Sequence, residues 1–183
     1  MKYLTLIFIL LFTQCSLYKI FTETKNISDE DRPQKDEGIA VFRFVSSDKA
    51  PLPNEIYFHL VKNPKKKYHF TLSSWLYEKD VYRYIFLQKG KYRFTHLYYQ
   101  FEGKITGYSL PKNHFTIVPS RLNYVGDMIF QYHKKKINIT IEDNIKKSLW
   151  PFYQKYPTLT IQYPLINSLI TIDKKKKGGI DFD

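Results

Sequence analysis

Short runs in which apolar and polar residues alternate dominate the chain from Gly38 onward. The clearest run is Ile137–Ile141, where isoleucines alternate with polar residues, as in a strand with one buried and one solvated face. Gln88–Gly90 separates two further runs and contains the glycine that a hairpin turn favours. The pattern predicts an all-β fold, an antiparallel β-sandwich of about seven to nine strands.

Two details of these runs predict particular strand positions. Gly38–Val45 is apolar on both faces except at Arg43, which predicts a strand at the centre of its sheet. Gly126 interrupts the long run Leu122–Tyr132, and an isolated glycine inside a strand predicts a β-bulge or a close backbone approach. Thr158–Tyr163 is predicted to form one of the last strands.

One segment carries apolar residues at helical spacing instead. The stripe consists of Ile145, Leu149, Phe152 and Tyr156. Asp143 or Asn144 can cap its start, and Pro157 ends it. We therefore predict one short helix near residues 144–155, covering an open end of the sandwich.

The first residues have the pattern of an export signal. Lys2 precedes an apolar run, Tyr3–Phe12, which is about half as long as the roughly 20 residues that a membrane-spanning helix needs. The run ends close to Cys15, the only cysteine of the chain. Since a single cysteine leaves no disulfide, the exported domain is expected to depend on packing for its stability.

Leu11–Cys15 resembles the lipobox of bacterial lipoproteins, and its relaxed form, with Phe12 and Gln14, resembles that of spirochaetes. The resemblance implies cleavage before Cys15 and a lipid on its thiol. Two or three acyl chains hold a domain stably at a bilayer, whereas one chain is marginal. The alternative is a plain secretory signal followed by a free thiol. Ser16 resembles the residue that directs enteric lipoproteins to the outer membrane.

Charge changes sharply along the chain and marks its divisions. Residues 16–37 carry a net charge of −2, whereas residues 38–183 carry +13. An acidic and polar segment without apolar periodicity predicts a flexible tether. The predicted divisions are a lipoprotein signal peptide (1–14), the lipidated cysteine with its tether (15–37), the β-sandwich domain (38–172) and a basic tail (173–183).

Lysine clusters supply much of the basic charge. They are Lys65–Lys67, then Lys134, Lys135 and Lys136, and finally Lys174, Lys175, Lys176 and Lys177. Lysine-rich turns keep a β protein soluble and protect the edges of its sheets, and this role is sufficient to explain the presence of any single cluster. Together they favour binding to anionic surfaces, and we assign that role to the second and third clusters.

A second resemblance concerns the predicted domain. Leu87, Gly90 and Tyr92 at a strand end, then Asn123–Asp127, and a strand running into Asp143 are similar to features of small uncharacterised bacterial lipoproteins. The resemblance covers roughly residues 38–160 and implies an immunoglobulin-like or prealbumin-like β-sandwich. It implies no catalytic residues.

Residues that could carry catalysis are scattered. The five histidines, His59, His69, His96, His114 and His133, show no metal-ligand spacing. The acids Asp80, Glu102, Asp127 and Asp143 show no pairing that a glycosidase would need. Lys89–Phe94 weakly resembles an RNA-recognition strand but lacks its continuation, so no nucleic-acid partner is expected. We expect no metal or cofactor.

These observations favour a membrane-anchored lipoprotein of the bacterial cell envelope, in the outer membrane. It would act as a non-enzymatic binding or assembly module. Acidic lipid, lipopolysaccharide or a sulfated glycan would be its anionic partner. The alternative is a hydrolase or sugar-active enzyme whose site lies in the sandwich loops.

Overall fold

Two β-sheets lie face to face in the computed structural model, which describes residues 21–23, 27–47, 50–72, 80–101, 104–133, 136–172 and 180–181. The prediction of an all-β sandwich is confirmed. Within this described part there are thirteen strands, and nine of them have five or more residues, in agreement with the predicted number.

Sheet 1 has seven strands in the order β1-β4-β3-β6-β8-β12, with β7 paired to β6. They are β1 (Phe21–Glu23), β3 (Glu55–Leu60), β4 (Asn63–Thr71), β6 (Gly90–Phe101), β7 (Lys104–Ser109), β8 (Asn113–Ile117) and β12 (Thr171–Ile172).

Sheet 2 has six strands in the order β13-β10-β9-β2-β5, with β11 paired to β9. They are β2 (Glu37–Ser47), β5 (Asp80–Gln88), β9 (Leu122–His133), β10 (Lys136–Glu142), β11 (Leu165–Asn167) and β13 (Ile180–Asp181).

Both sheets are mixed rather than purely antiparallel. β2 pairs with β9 in parallel at the centre of sheet 2, and β1 with β4 and β11 with β9 are also parallel. Strands joined by hairpins run antiparallel, but β2 and β9 are far apart in sequence, so no hairpin fixes their relative direction. Side chains alternate between the two faces of a strand in the same way whether its neighbour is parallel or antiparallel, so the alternation did not predict the parallel pairing of β2 with β9.

β2 is the central strand that its sequence predicted, with β5 on one side and β9 on the other. Its even-numbered residues, such as Phe42, face the core between the sheets, and its odd-numbered residues, such as Ile39, face a second apolar cluster. Both faces of β2 are covered, which is why its sequence is an almost continuous apolar run.

The outer face of sheet 2 is covered by two helices, α1 (Ile145–Lys155) and α2 (Pro157–Gln162). α1 matches the predicted helix, but it covers a sheet face and not an open end of the sandwich. The predicted strand at Thr158–Tyr163 is wrong, because residues 157–162 form α2. Proline at the first helical position favours this start, and Leu159 is buried in the cluster beneath the helices.

Parts of the predicted tether and tail contact the domain. Ile27 is buried beneath the helices, its N–H donates to the Tyr84 carbonyl (3.0 Å), and its own carbonyl accepts from the Tyr156 hydroxyl (2.8 Å). β1 pairs with β4, and β13, from the predicted tail, pairs with β10. Residues on both sides of the predicted domain 38–172 therefore make contacts with it.

Phe42 lies at the centre of the core between the sheets. Its ring is within 6.3 Å, centroid to centroid, of the rings of Phe44, Phe58, Phe70, Phe94 and Phe115. Aromatic rings in such edge and stacked contacts dominate the packing energy of a core.

We expect Phe42→Ala to lower the free energy of unfolding by about 3–5 kcal/mol, because it removes a buried ring and leaves a cavity. Urea denaturation followed by circular dichroism measures the change. Ile105→Ala is the matched control, since Ile105 is 70% exposed and should change stability by no more than about 0.5 kcal/mol. Equal losses for the two variants would contradict this account of the core.

Candidate functional site

Most of the residues predicted to bind or anchor lie outside the described part of the chain. These residues are Cys15, Lys134, Lys135, Lys174, Lys175, Lys176 and Lys177. Lys136 opens β10, and its backbone is paired with those of His133 and Asp181. The described surface nevertheless contains another basic cluster, at one end of the sandwich.

Hydrogen bonds join five segments at this end of the molecule. The segments are residues 34–37, 61–66, 88–91, 118–121 and 161–165. Each link is a hydrogen bond from a backbone N–H to a backbone carbonyl. Between the segments, Val61 donates to Lys91 (2.8 Å), Lys89 to Asp36 (2.7 Å) and Ser120 to Glu37 (2.8 Å). The strands beside them complete the set, because Ile39 of β2 donates to Arg121 (2.9 Å) and Leu122 of β9 donates to Pro164 (3.1 Å). We call this surface the lysine end.

The lysine end is strongly cationic. Its five segments contain seven basic residues, Lys35, Lys62, Lys65, Lys66, Lys89, Lys91 and Arg121. They contain two acids, Asp36 and Glu37, which leaves a net charge of +5. Lys62, Lys65 and Lys91 are exposed. Like charges gathered on one surface produce a local potential that attracts anions.

The outer face of sheet 1 continues the cationic surface away from the lysine end. His59 on β3 lies between Lys67 on β4 and Arg93 on β6. Partial burial lowers the pKa of His59, and the positive charges of Arg93 and Lys67 lower it further. Burial is the larger cause of the lowered pKa, and the two neighbouring cations act in the same direction because they disfavour protonation of the histidine.

Of the predicted cluster Lys134–Lys136, only Lys136 is described, and its backbone lies at the opposite end of sheet 2 from the lysine end. β9 starts near the lysine end, where Leu122 bonds Pro164, and finishes at His133, which pairs with Lys136. A strand of twelve residues is about 36 Å long. The backbone of Lys136 is therefore separated from the lysine end by the length of β9.

A second polar cluster is buried on the outer face of sheet 2. Arg43 on β2 donates from Nη1 to Asp127 Oδ2 (2.5 Å) and from Nη2 to Asp80 Oδ2 (2.9 Å). The side chains of Arg43 and Asp127 are 2% and 0% exposed. Burial alone would lower the pKa of Arg43, but its hydrogen bonds and charge interactions with both acids outweigh burial and raise it.

Asp127 also receives two hydrogen bonds from hydroxyl groups. Tyr124 Oη donates to Asp127 Oδ1 (2.9 Å), and so does Ser148 Oγ from helix α1 (2.5 Å). Tyr124 Oη in turn accepts the Asn144 N–H just before the helix (3.0 Å). Asp127 therefore joins β2, β9 and α1, and both of its oxygens are engaged.

The predicted bulge at Gly126 positions this carboxylate. Val41 pairs with Tyr124 and Phe42 pairs with Gly126, so Val125 is the extra residue on β9. Gly126 has φ +107°, which disfavours any side chain at this position. Because of the bulge, Asp127 lies on the same face of the sheet as Tyr124, and it is paired with Arg43 on the neighbouring strand β2.

The arrangement around Asp127 serves to dock α1. The carboxylate is enclosed and fully bonded, which leaves it no access to a substrate. The sequence contained one signal for this cluster: Arg43 is the single charged residue in an otherwise apolar run. The partners Asp127, Tyr124 and Ser148 had no such signal, since a lone acid after glycine is ordinarily a turn residue.

A shallow concavity near the start of α1 is lined by residues 143–147. Within the described ranges, no three His, Cys, Asp or Glu side chains form a group that could hold a metal ion. In the same part of the chain, no helix is both long and apolar enough to cross a membrane.

The fold and these two clusters define the class of protein: a β-sandwich with a helical layer on one sheet and a cationic end. No protein-family model, curated protein or solved structure matches the chain.

We expect Asp127→Asn to lower the free energy of unfolding by about 3–5 kcal/mol, because it leaves buried Arg43 with one carboxylate partner instead of two. Chemical denaturation followed by circular dichroism checks this. Asp143→Asn makes the same replacement at an exposed carboxylate and should cost no more than about 0.5 kcal/mol. If Asp127→Asn proves as mild as this control, the buried ion pair does not hold α1 in place.

Proposed function

We propose that this protein is a lipid-anchored lipoprotein of the bacterial cell envelope and acts as a non-enzymatic binding module for anionic partners. The observation that carries the proposal is the net charge of +5 gathered at the lysine end by five separate segments of the chain. The anchor is proposed from the export signal and the lipobox-like Leu11–Cys15.

The physical basis for binding is electrostatic. A lysine near an anionic membrane surface contributes about 1 kcal/mol, so several of them together can retain a polyanion. Exposed charges are screened beyond about 8 Å at physiological salt, and the interaction must therefore weaken as salt rises. Acidic lipid headgroups, lipopolysaccharide and sulfated glycans share the required chemistry of closely spaced phosphate, carboxylate or sulfate groups.

We expect the variant Lys62→Glu/Lys65→Glu/Lys91→Glu to bind heparin and anionic vesicles several-fold more weakly, because it reverses three exposed charges at the lysine end. Elution salt on a heparin column and vesicle co-sedimentation measure the loss.

The matched control is Lys104→Glu/Lys146→Glu/Lys147→Glu, which changes the net charge equally at exposed positions outside the lysine end. It should retain most of the binding. A third variant, Lys134→Glu/Lys135→Glu/Lys136→Glu, tests the cluster predicted from the sequence. Equal losses for the first two variants would show that net charge alone, and not the lysine end, governs binding.

The anchor is tested by Cys15→Ser in the full chain. We expect this variant to lose labelling by a clickable fatty acid and to leave the membrane fraction, because the acyl chains supply most of the membrane affinity. Gln14→Ala keeps the thiol and should still be labelled. Labelling of the Cys15→Ser protein would exclude Cys15 as the anchor.

A further inference from the structure

We infer that the lysine end is the part of the domain that faces the bilayer, docked on acidic phospholipid headgroups. The inference rests on the proposed lipid anchor and adds the orientation of the domain to it. Three independent features of the described residues support it: the direction in which the chain enters the sheet, the cations at that end, and the apolar side chains exposed among them.

The direction of entry comes from strand β1. Phe21 pairs with Lys67 and Glu23 with His69, so β1 runs parallel to β4. Since β4 starts at the lysine end, Phe21 is the residue of β1 that lies nearest to that end. Five residues lie between Cys15 and Phe21, so the chain from one to the other spans at most about 20 Å when fully extended. A lipid on Cys15 would therefore hold the start of β1 within about 20 Å of the anchor.

Apolar side chains lie exposed among the cations of the lysine end. They are Val61, which is 42% exposed, Ile161, 86% exposed, and Leu165, also 42% exposed. They come from the β3–β4 turn, from α2 and from β11, which the hydrogen bonds above bring to the same end. Lysines contact lipid phosphates while aliphatic side chains enter the boundary below them, the combination found on proteins that lie on membranes.

Charge complementarity selects acidic phospholipids as the occupant. The stretch 144–172, which includes both helices and β11, contains no aspartate or glutamate, and the lysine end holds Asp36 and Glu37 against its seven cations. One further carboxylate lies beside α2, because Asp29 Oδ2 accepts a hydrogen bond from Thr158 Oγ1 (3.3 Å). An anionic leaflet would thus meet more cations than carboxylates over this surface. The strands would stand upright on the bilayer, with the His133 end of β9 farthest from the lipid.

The experiment uses the full lipidated chain in vesicles of phosphatidylcholine with phosphatidylglycerol. A cysteine introduced at Val61 (Val61→Cys) carries an environment-sensitive fluorophore, and Ile105→Cys carries the same probe as the matched control. Ile105 is equally part of sheet 1, but it pairs with Gln100 near the far end of β6. Cys15 remains unlabelled because the anchor occupies its thiol. Ile161→Cys is a second lysine-end position, in case Val61→Cys fails to fold.

We expect the probe at Val61 or Ile161 to shift to shorter wavelength and to be quenched several-fold more strongly by spin-labelled lipid than the probe at Ile105. The shift should vanish in pure phosphatidylcholine. If the protein floats with the vesicles but the lysine-end probes stay in water, or if the probe at Ile105 is the buried one, the orientation is overturned while the anchor stands. If the protein does not float at all, the anchor and the orientation both fail.

Discussion

The parallel pairing of β2 with β9 is the interaction on which the other layers depend. It places β2 between two neighbours, so that one of its faces forms the core between the sheets and the other supports the helices. It also sets Arg43 directly opposite Asp127, within the β9 segment displaced by the bulge at Gly126. The register in which β2 pairs with β9 therefore determines which side chains enter the core, which acid meets Arg43 and where α1 packs.

The same topology decides where charge accumulates. β5 and β6 are consecutive strands in different sheets, joined at Lys89, and this connection brings the β3–β4 turn of sheet 1 beside the start of β2 in sheet 2. Lysines that are distant in sequence thus meet at one end. The backbone of Lys136 lies about a strand length away, at the other end of β9.

Local pattern predicted those features that depend on neighbours in sequence. The period-two runs gave the all-β class, the run Gly38–Val45 gave the central strand, and Gly126 gave the bulge, because each reflects side chains or backbone within a few residues. Thr158–Tyr163 was predicted as a strand, but residues 157–162 form α2. A short alternating pattern is also compatible with helical turns when a proline starts them and Leu159 is buried.

The sequence by itself determined the secondary-structure class, the export-signal pattern, the excess of basic charge and the position of the longer helix. Only the tertiary structure decided that β2 and β9 run in parallel, that Asp127 bonds Ser148 and Arg43, and that five segments form the lysine end. The reason is that strand alternation carries no information about direction or partner. Contacts between residues far apart in the chain arise only when the sheets pack and bury their apolar faces together.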